Sequence, residues 1–437
     1  NLWTGTGNRA VDLYFRGDTN SIVTRPVSGS DNLRLNQLYI EKDALSDTVL
    51  MNSDFTLPDY TQALNLTDGT FRMNNSNINI SLSSDNGEFI ISPTTEMIID
   101  SGSAEVTGAT GAIFLDGKLV LNDNGELSLD DGSSDNYIEY SSSDNAVIEV
   151  HDNATLTVGS QLRRGVVNSS GVLNYRQTGG TVRLGKNVAP EGNRGILEVL
   201  NPGSEFKHTG GDLIISQGQA SASVAAVNLA PETTNISDTS VLQLGDANTP
   251  GSTTIGLNST VPLSNVLVDN TSGNDPTAEL MINSLTLTGG LELENNTTFN
   301  ANDQNLTLAG DFINRGTYQP GTNTTKFNGD TQELLGNTDF YDLVVTPSDT
   351  LHLSGSISTN LTVSDSLSIN SSVLVDSANT ITVSGSVHNS GTHISTGASG
   401  GMLLNGSKAF DISGGGTFGR VELDNPEGVT LAANIII

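Results

Sequence analysis

The residues that could do chemistry are carboxylates crowded into short turns. Asp130, Asp131 and Asp135 fall within Asp130-Asp-Gly-Ser-Ser-Asp135, and Asp123 lies just upstream in Asn122-Asp-Asn-Gly125. A calcium ion takes about six to eight oxygen ligands, which such turns can supply. The expectation is a calcium site drawing on Asp123, Asp130, Asp131 and Asp135. The closing Glu of an EF-hand is missing, and so is the nonapeptide calcium repeat. A hydrated acidic turn is the plain alternative, because Asp and Asn are ordinary corner residues.

Cleavage of a polysaccharide would need clustered carboxylates with a base or cation on one face. Asp130, Asp131 and Asp135 are candidates, and so is His151-Asp152 ahead of Arg163-Arg164. The other histidines, His208, His352, His388 and His393, are scattered. No His-Glu-x-x-His or phosphate loop is present. The chain therefore reads as a non-enzyme that requires no cofactor. Arg163, Arg164, Arg176, Arg183, Lys186, Arg194 and Lys207 are 7 of the 18 basic residues. They would either bind an anionic glycan or balance local charge, and charge balance is the simpler account.

The elements that must carry these residues are short strands. Of the 437 residues, 35% are hydrophobic and 5% aromatic, and there is no Cys. Asn, Ser, Thr, Asp and Gly supply the polarity, and these residues suit turns. No window carries apolar residues at helical spacing, whereas alternating runs such as Val147-Ile-Glu-Val150 and Thr155-Leu-Thr-Val158 recur between turn formers. The 49 acidic residues against 18 basic give a net charge of -31. That charge argues against nucleic acid as a partner and against an anionic membrane surface. No apolar run is long enough for a spanning helix.

A repeat organises the C-terminal part. Leu285-Thr-Leu-Thr-Gly-Gly-Leu-Glu-Leu293 recurs as Leu361-Thr-Val-Ser-Asp-Ser-Leu-Ser-Ile369, an offset of 361 − 285 = 76. Phe340-Tyr-Asp-Leu-Val-Val345 recurs as Phe418-Gly-Arg-Val-Glu-Leu423, an offset of 418 − 340 = 78. A shorter step lies inside it, since 306 − 285 = 21 and 327 − 306 = 21. Leu285, Leu306 and Phe327 should then stack in consecutive coils of about 20 residues. The fold class expected is all-β, a right-handed parallel β-solenoid, with tandem β-sandwich repeats as the alternative. The expected divisions are an irregular N-terminal segment or cap over 1–110, coils over 111–216, a looser junction over 217–262 and the tandem repeat over 263–437. Thr-Gly-Gly at 178–180 and 209–211 should form tight coil corners. Val429-Thr-Leu431 matches Leu351-His-Leu353, so a further copy is expected to begin there.

Phe327-Asn-Gly, then Phe340-Tyr-Asp-Leu-Val-Val345, then Leu361-Thr-Val before Leu367-Ser-Ile369, resembles repeats in large surface proteins of Bacteroidetes bacteria. These include type IX-secreted adhesins, some linked to gliding motility. The likeness covers about 263–437 well and 111–216 more weakly. It implies an extracellular, cell-surface location and a structural or adhesive role. The partners it implies are surface glycans, other surface proteins or further copies of the chain. A glycan-binding or polysaccharide-degrading β-helix is the other functional reading. Asp47-Thr-Val49, Asp349-Thr-Leu351, Asp365-Ser-Leu367 and Asp376-Ser-Ala378 resemble the O-glycosylation signal of the same bacteria. Thr48, Thr350, Ser366 and Ser377 are thus expected on exposed turns or outward strand positions, where a transferase could reach them.

Overall fold

The computed structural model describes residues 11–24, 35–53, 63–83, 89–107, 112–130, 136–141, 145–166, 169–219, 221–354, 359–434 and 436. It is all-β, and no helix occurs among the described residues. Two compact units divide the chain, Asn1–Ser240 and Val241–Ile437.

In the first unit, strands pair in parallel with strands from the preceding and following passes of the chain. Lys118–Leu129 lies between Thr95–Thr107 and Asn145–Val150. Val172–Leu184 lies beside Leu197–Ile215. Several strands are long, because the chain turns a corner without leaving the ladder. Val172–Leu184 does this at Thr178-Gly-Gly180, where the register shifts. Gly180 has φ +66° and Gly211 φ +80°, backbone that side chains resist. A Cβ on Gly211 would stand 2.3 Å from the carbonyl oxygen of Gly180. The Thr-Gly-Gly corners thus stack directly, as the sequence predicts. The described residues of 1–110 carry the same parallel ladders.

The second unit has shorter strands, many of three or four residues, and three parallel ladders. One runs through Leu291–Leu293, Phe312–Asn314 and Gln332–Leu335 to Thr350–Leu353, Val373–Val375 and Thr392–Ile394. A second begins with Thr254–Ser259, Thr277–Leu280 and Thr298–Asn300. The third holds Leu285–Leu287, Leu306–Leu308, Thr324–Phe327 and the end of Thr338–Val345.

Leu285 pairs with Leu306, as the 21-residue step requires. Leu306 then pairs with Thr325, and Phe327 with Leu308. The predicted Leu285–Leu306–Phe327 column is therefore corrected. The next coil is two residues shorter, so Phe327 continues the Leu287–Leu308 column. Coil-to-coil side-chain bonds follow the same variation, spanning 21 residues at Ser284–Asn305, 19 at Asp303–Thr322 and 18 at Asp330–Ser348. Parallel pairing between segments this close in sequence is not the antiparallel pairing of a sandwich array, so that alternative is set aside.

Alternation places one face of each strand inward. Leu119 and Leu121, Leu156 and Val158, and Leu361 and Val363 are buried. The core also holds aromatic anchors that the low Tyr and Trp content did not suggest. Tyr140 and Tyr175 are fully buried in the first unit. In the second, Tyr318 packs edge-on to Phe312 at 5.4 Å and lies 5.6 Å from Phe340. The Tyr318 hydroxyl meets Thr325 Oγ1 at 2.7 Å and accepts from Asn323 Nδ2, so this buried polar end is satisfied. Burial pushes its pKa up to about 12.

Candidate functional site

The outward charges of the first unit are positioned by the ladders. Residues in register on neighbouring coils stand about 4.8 Å apart, so opposite charges one coil apart meet. Lys118 lies 3.1 Å from both Glu96 and Glu149. Arg176 reaches Glu149 at 3.0 Å and Glu205 at 2.6 Å. The result is an alternating row, Glu96–Lys118–Glu149–Arg176–Glu205. Burial alone would raise the Glu149 pKa, but Lys118 and Arg176 together hold it below the usual carboxylate range.

The seven clustered basic residues are largely engaged within the chain. Arg163 bonds Glu139 at 3.1 Å and lies 3.9 Å over the Tyr137 ring. Arg194 and Arg164 converge on the buried Glu198 at 3.1 and 3.6 Å. Lys186 pairs with Asp130. These contacts support the charge-balancing reading over an open anion-binding patch.

The expected calcium set is not assembled among the described residues. Asp123 is exposed in a corner at φ +48°. Asp130 accepts from Ser128 Oγ and pairs with Lys186. Asp131 and Asp135 lie outside the described residues. No group of three or more His, Asp or Glu able to hold a metal occurs among the described residues. A polar concavity of about 380 Å³ is lined by Asp269, Asn270, Thr271, Glu294, Asn295 and Asn296. Both oxygens of Asp269 there accept from Thr271.

The candidate catalytic residues sit on different ladders. His151 follows Asn145–Val150, and its Nδ1 meets Thr178 Oγ1 at 2.6 Å. Arg163 and Arg164 belong to Leu162–Arg164, which pairs with Tyr137–Tyr140.

The four hydroxyls expected to point outward divide. Ser366 is half-buried beside the buried Leu367 and donates to Asp342 Oδ1. Thr48 and Ser377 are half-buried, Ser377 in a corner at φ +49°. Thr350 is buried, and its hydroxyl donates to Asp349 Oδ1 at 3.2 Å. The outward placement of Thr350 is therefore corrected. The strand start at Thr350 buries two successive residues, Thr350 and Leu351, which strict alternation does not allow for.

Two features escaped the sequence. Outward aromatics gather on one ladder of the first unit: Tyr14 stacks on Tyr39 at 4.2 Å, and Phe114 meets Tyr137 at 6.1 Å. Their placement follows from register, which composition alone does not provide. His393 and Asp376 are fully buried and 3.4 Å apart, although both read as turn or surface residues.

No family model matches the chain, and neither a curated protein nor a solved structure does.

Proposed function

We propose that the chain is a structural, adhesive segment of a large secreted bacterial surface protein. In this reading each unit is a right-handed parallel β-solenoid that spaces or displays binding positions away from the cell. The observation that carries it is parallel pairing between segments only one coil apart, repeated through both units. A stack of that kind grows by adding coils and needs no larger core. Right-handedness follows from the general rule for connections between parallel strands. The resemblance of 263–437 to Bacteroidetes surface repeats supports export, display and O-glycosylation. Coil-to-coil ion pairs support a mechanical role, since they tie neighbouring coils rather than shape a cleft.

Force spectroscopy on the tethered chain tests the structural part. Stepwise rupture in increments of one or a few coils is expected. A force response no different from an unstructured chain contradicts it. Turnover of a pectin-like or alginate-like polymer by the purified chain would contradict the non-enzymatic reading.

A second reading, glycan binding, is favoured by the outward aromatics Tyr14, Tyr39, Phe114 and Tyr137. Aromatic rings beside polar groups such as Gln37, which accepts from the Tyr39 hydroxyl at 2.6 Å, are a common way to hold sugars. A glycan array with Tyr39→Ala and Phe114→Ala variants separates it from a passive spacer. Binding that both variants lose supports the second reading.

A further inference from the structure

The strand Thr392–Ile394 places one residue inward, and that residue is His393. Its column partner on the preceding coil is Leu374. A histidine thus replaces an aliphatic side chain inside the stack. Asp376 closes the strand Val373–Val375 and turns its side chain inward as well. Both residues are 0% exposed at the side chain, with Nε2 and Oδ2 3.4 Å apart.

Asp376 joins two coils. Its Oδ1 accepts from the Ala378 N–H at 3.1 Å, within its own turn, and from the Thr396 N–H at 3.0 Å, one coil later. Its own N–H donates to Ile394 O. Its Oδ2 has no hydrogen-bond partner, nor has either ring nitrogen of His393. Buried polar atoms are rarely left so.

We infer that the Asp376–His393 pair is an acid-sensitive latch between these two coils. The neutral ring can direct an Nε2 proton at Asp376. Protonation adds a proton at Nδ1, where no acceptor stands, and buries a cation. Burial is the larger influence and outweighs the attraction of Asp376, so the ring is held below its ordinary value.

The other charged groups nearby do not face the ring. His352, on Thr350–Leu353, alternates outward beside the buried Leu351 and Leu353. His388 is turned out toward Ser413. The Arg420 guanidinium is exposed and reaches Ala398 O and Glu422.

The sign follows from linkage. A histidine held below its ordinary value of 6.5 leaves the folded coil with fewer protons than the open one. The latch is fully closed above that value and weakens as pH falls from it toward the folded value. Within that window each pH unit favours opening about tenfold.

Hydrogen–deuterium exchange of the full chain at pH 7.5 and 5.0, corrected for intrinsic rates, reads this opening. Peptides spanning 373–396 should open more at the lower pH, by up to about tenfold for each pH unit the window spans, and His393→Leu should abolish the difference. A flat response in the unsubstituted chain overturns the latch, and so does an unchanged slope in the variant. Imidazole NMR of the unsubstituted chain serves if the variant does not fold. A buried ring titrating below 6.5 is expected; titration at or above that value overturns the latch.

Discussion

The two units both pair their strands in parallel and tie those strands with different side-chain chemistry. Residues 1–240 hold 14 Lys and Arg against 30 Asp and Glu, while residues 241–437 hold 4 against 19. In the first unit the cations stand one coil from carboxylates and form rows such as Lys118–Glu149–Arg176. In the second, Asn, Thr and Gln take over. Gln332 Nε2 donates to the carbonyls of Leu308 and Gly310, and Asn323 Nδ2 donates to Gln304 O. Amide and hydroxyl bonds can be made on every coil without charge pairing. Parallel stacking therefore constrains where a lateral partner lies, one coil away in register, and leaves its chemistry free.

The largest effect should come from the core, where the second unit relies on its aromatic cluster. Phe312→Ala removes a ring against both Tyr318 and Phe340. It should cost about 3–5 kcal/mol. Urea unfolding followed by exchange in 291–345 checks this, and a loss under about 1 kcal/mol would mean the ring is not a core anchor.

Acid sharpens the comparison in the first unit. His208 is 3% exposed, and burial lowers its pKa to about 4, although its hydrogen bond with Gly211 O raises it. With the unfolded value near 6.5, this unit should lose stability as pH falls from 6.5 to about 4. The loss is on the order of 3 kcal/mol at most. His208→Gln keeps a donor within reach and removes the titration, so the slope over that window should flatten. A slope that persists would assign the acid sensitivity elsewhere.

Corner stacking predicts a smaller loss. Gly211→Ala forces a Cβ toward Gly180 O in left-handed backbone. It should destabilise the first unit by about 1–3 kcal/mol, read as a shift in the urea midpoint. Gly415→Ala has open space and should change little.

Salt gives the smallest effect but divides the units most cleanly. Going from about 0.01 M to about 1 M salt shortens the screening length from about 30 Å to about 3 Å. The second unit, with few cations, should gain stability as its carboxylates cease to repel. The first should gain less, because its ion pairs weaken together with the repulsion. Arg176→Ala should cost under about 1 kcal/mol at low salt and less at high salt. Equal salt responses in unit-resolved exchange would break the distinction.

Much of the fold was legible where turns keep their length. Leu285-Thr-Leu287 and Leu306-Thr-Leu308 are the same tripeptide one coil apart, and they pair residue for residue. Phe327 was misplaced because the step to the next coil shortens, and a shortened turn leaves no mark on strand alternation. The Thr-Gly-Gly corners were readable because only glycine fits such stacked backbone. The Glu96–Lys118–Glu149 row was not, because its members meet only through register. Asp376 was hidden by its type: an Asp before a Ser reads as a solvated turn, and no local pattern signals a side chain turning inward. Thr350 failed for a similar reason, at a strand start where alternation does not yet hold.

The central claim is the parallel strand-to-strand register, and the absence of Cys makes it directly measurable. Paired residues on neighbouring parallel strands bring Cα atoms within the span of a disulfide. Thr286 pairs with Thr307, and Thr307 with Lys326. Thr286→Cys with Thr307→Cys, and Thr307→Cys with Lys326→Cys, should each oxidise to an intramolecular cross-link in the folded chain. Thr307→Cys with Asn328→Cys, the pair that an unbroken 21-residue step would match, should not. Cross-linking of the third pair in place of the second, or of none of the three, would contradict the register on which this account rests.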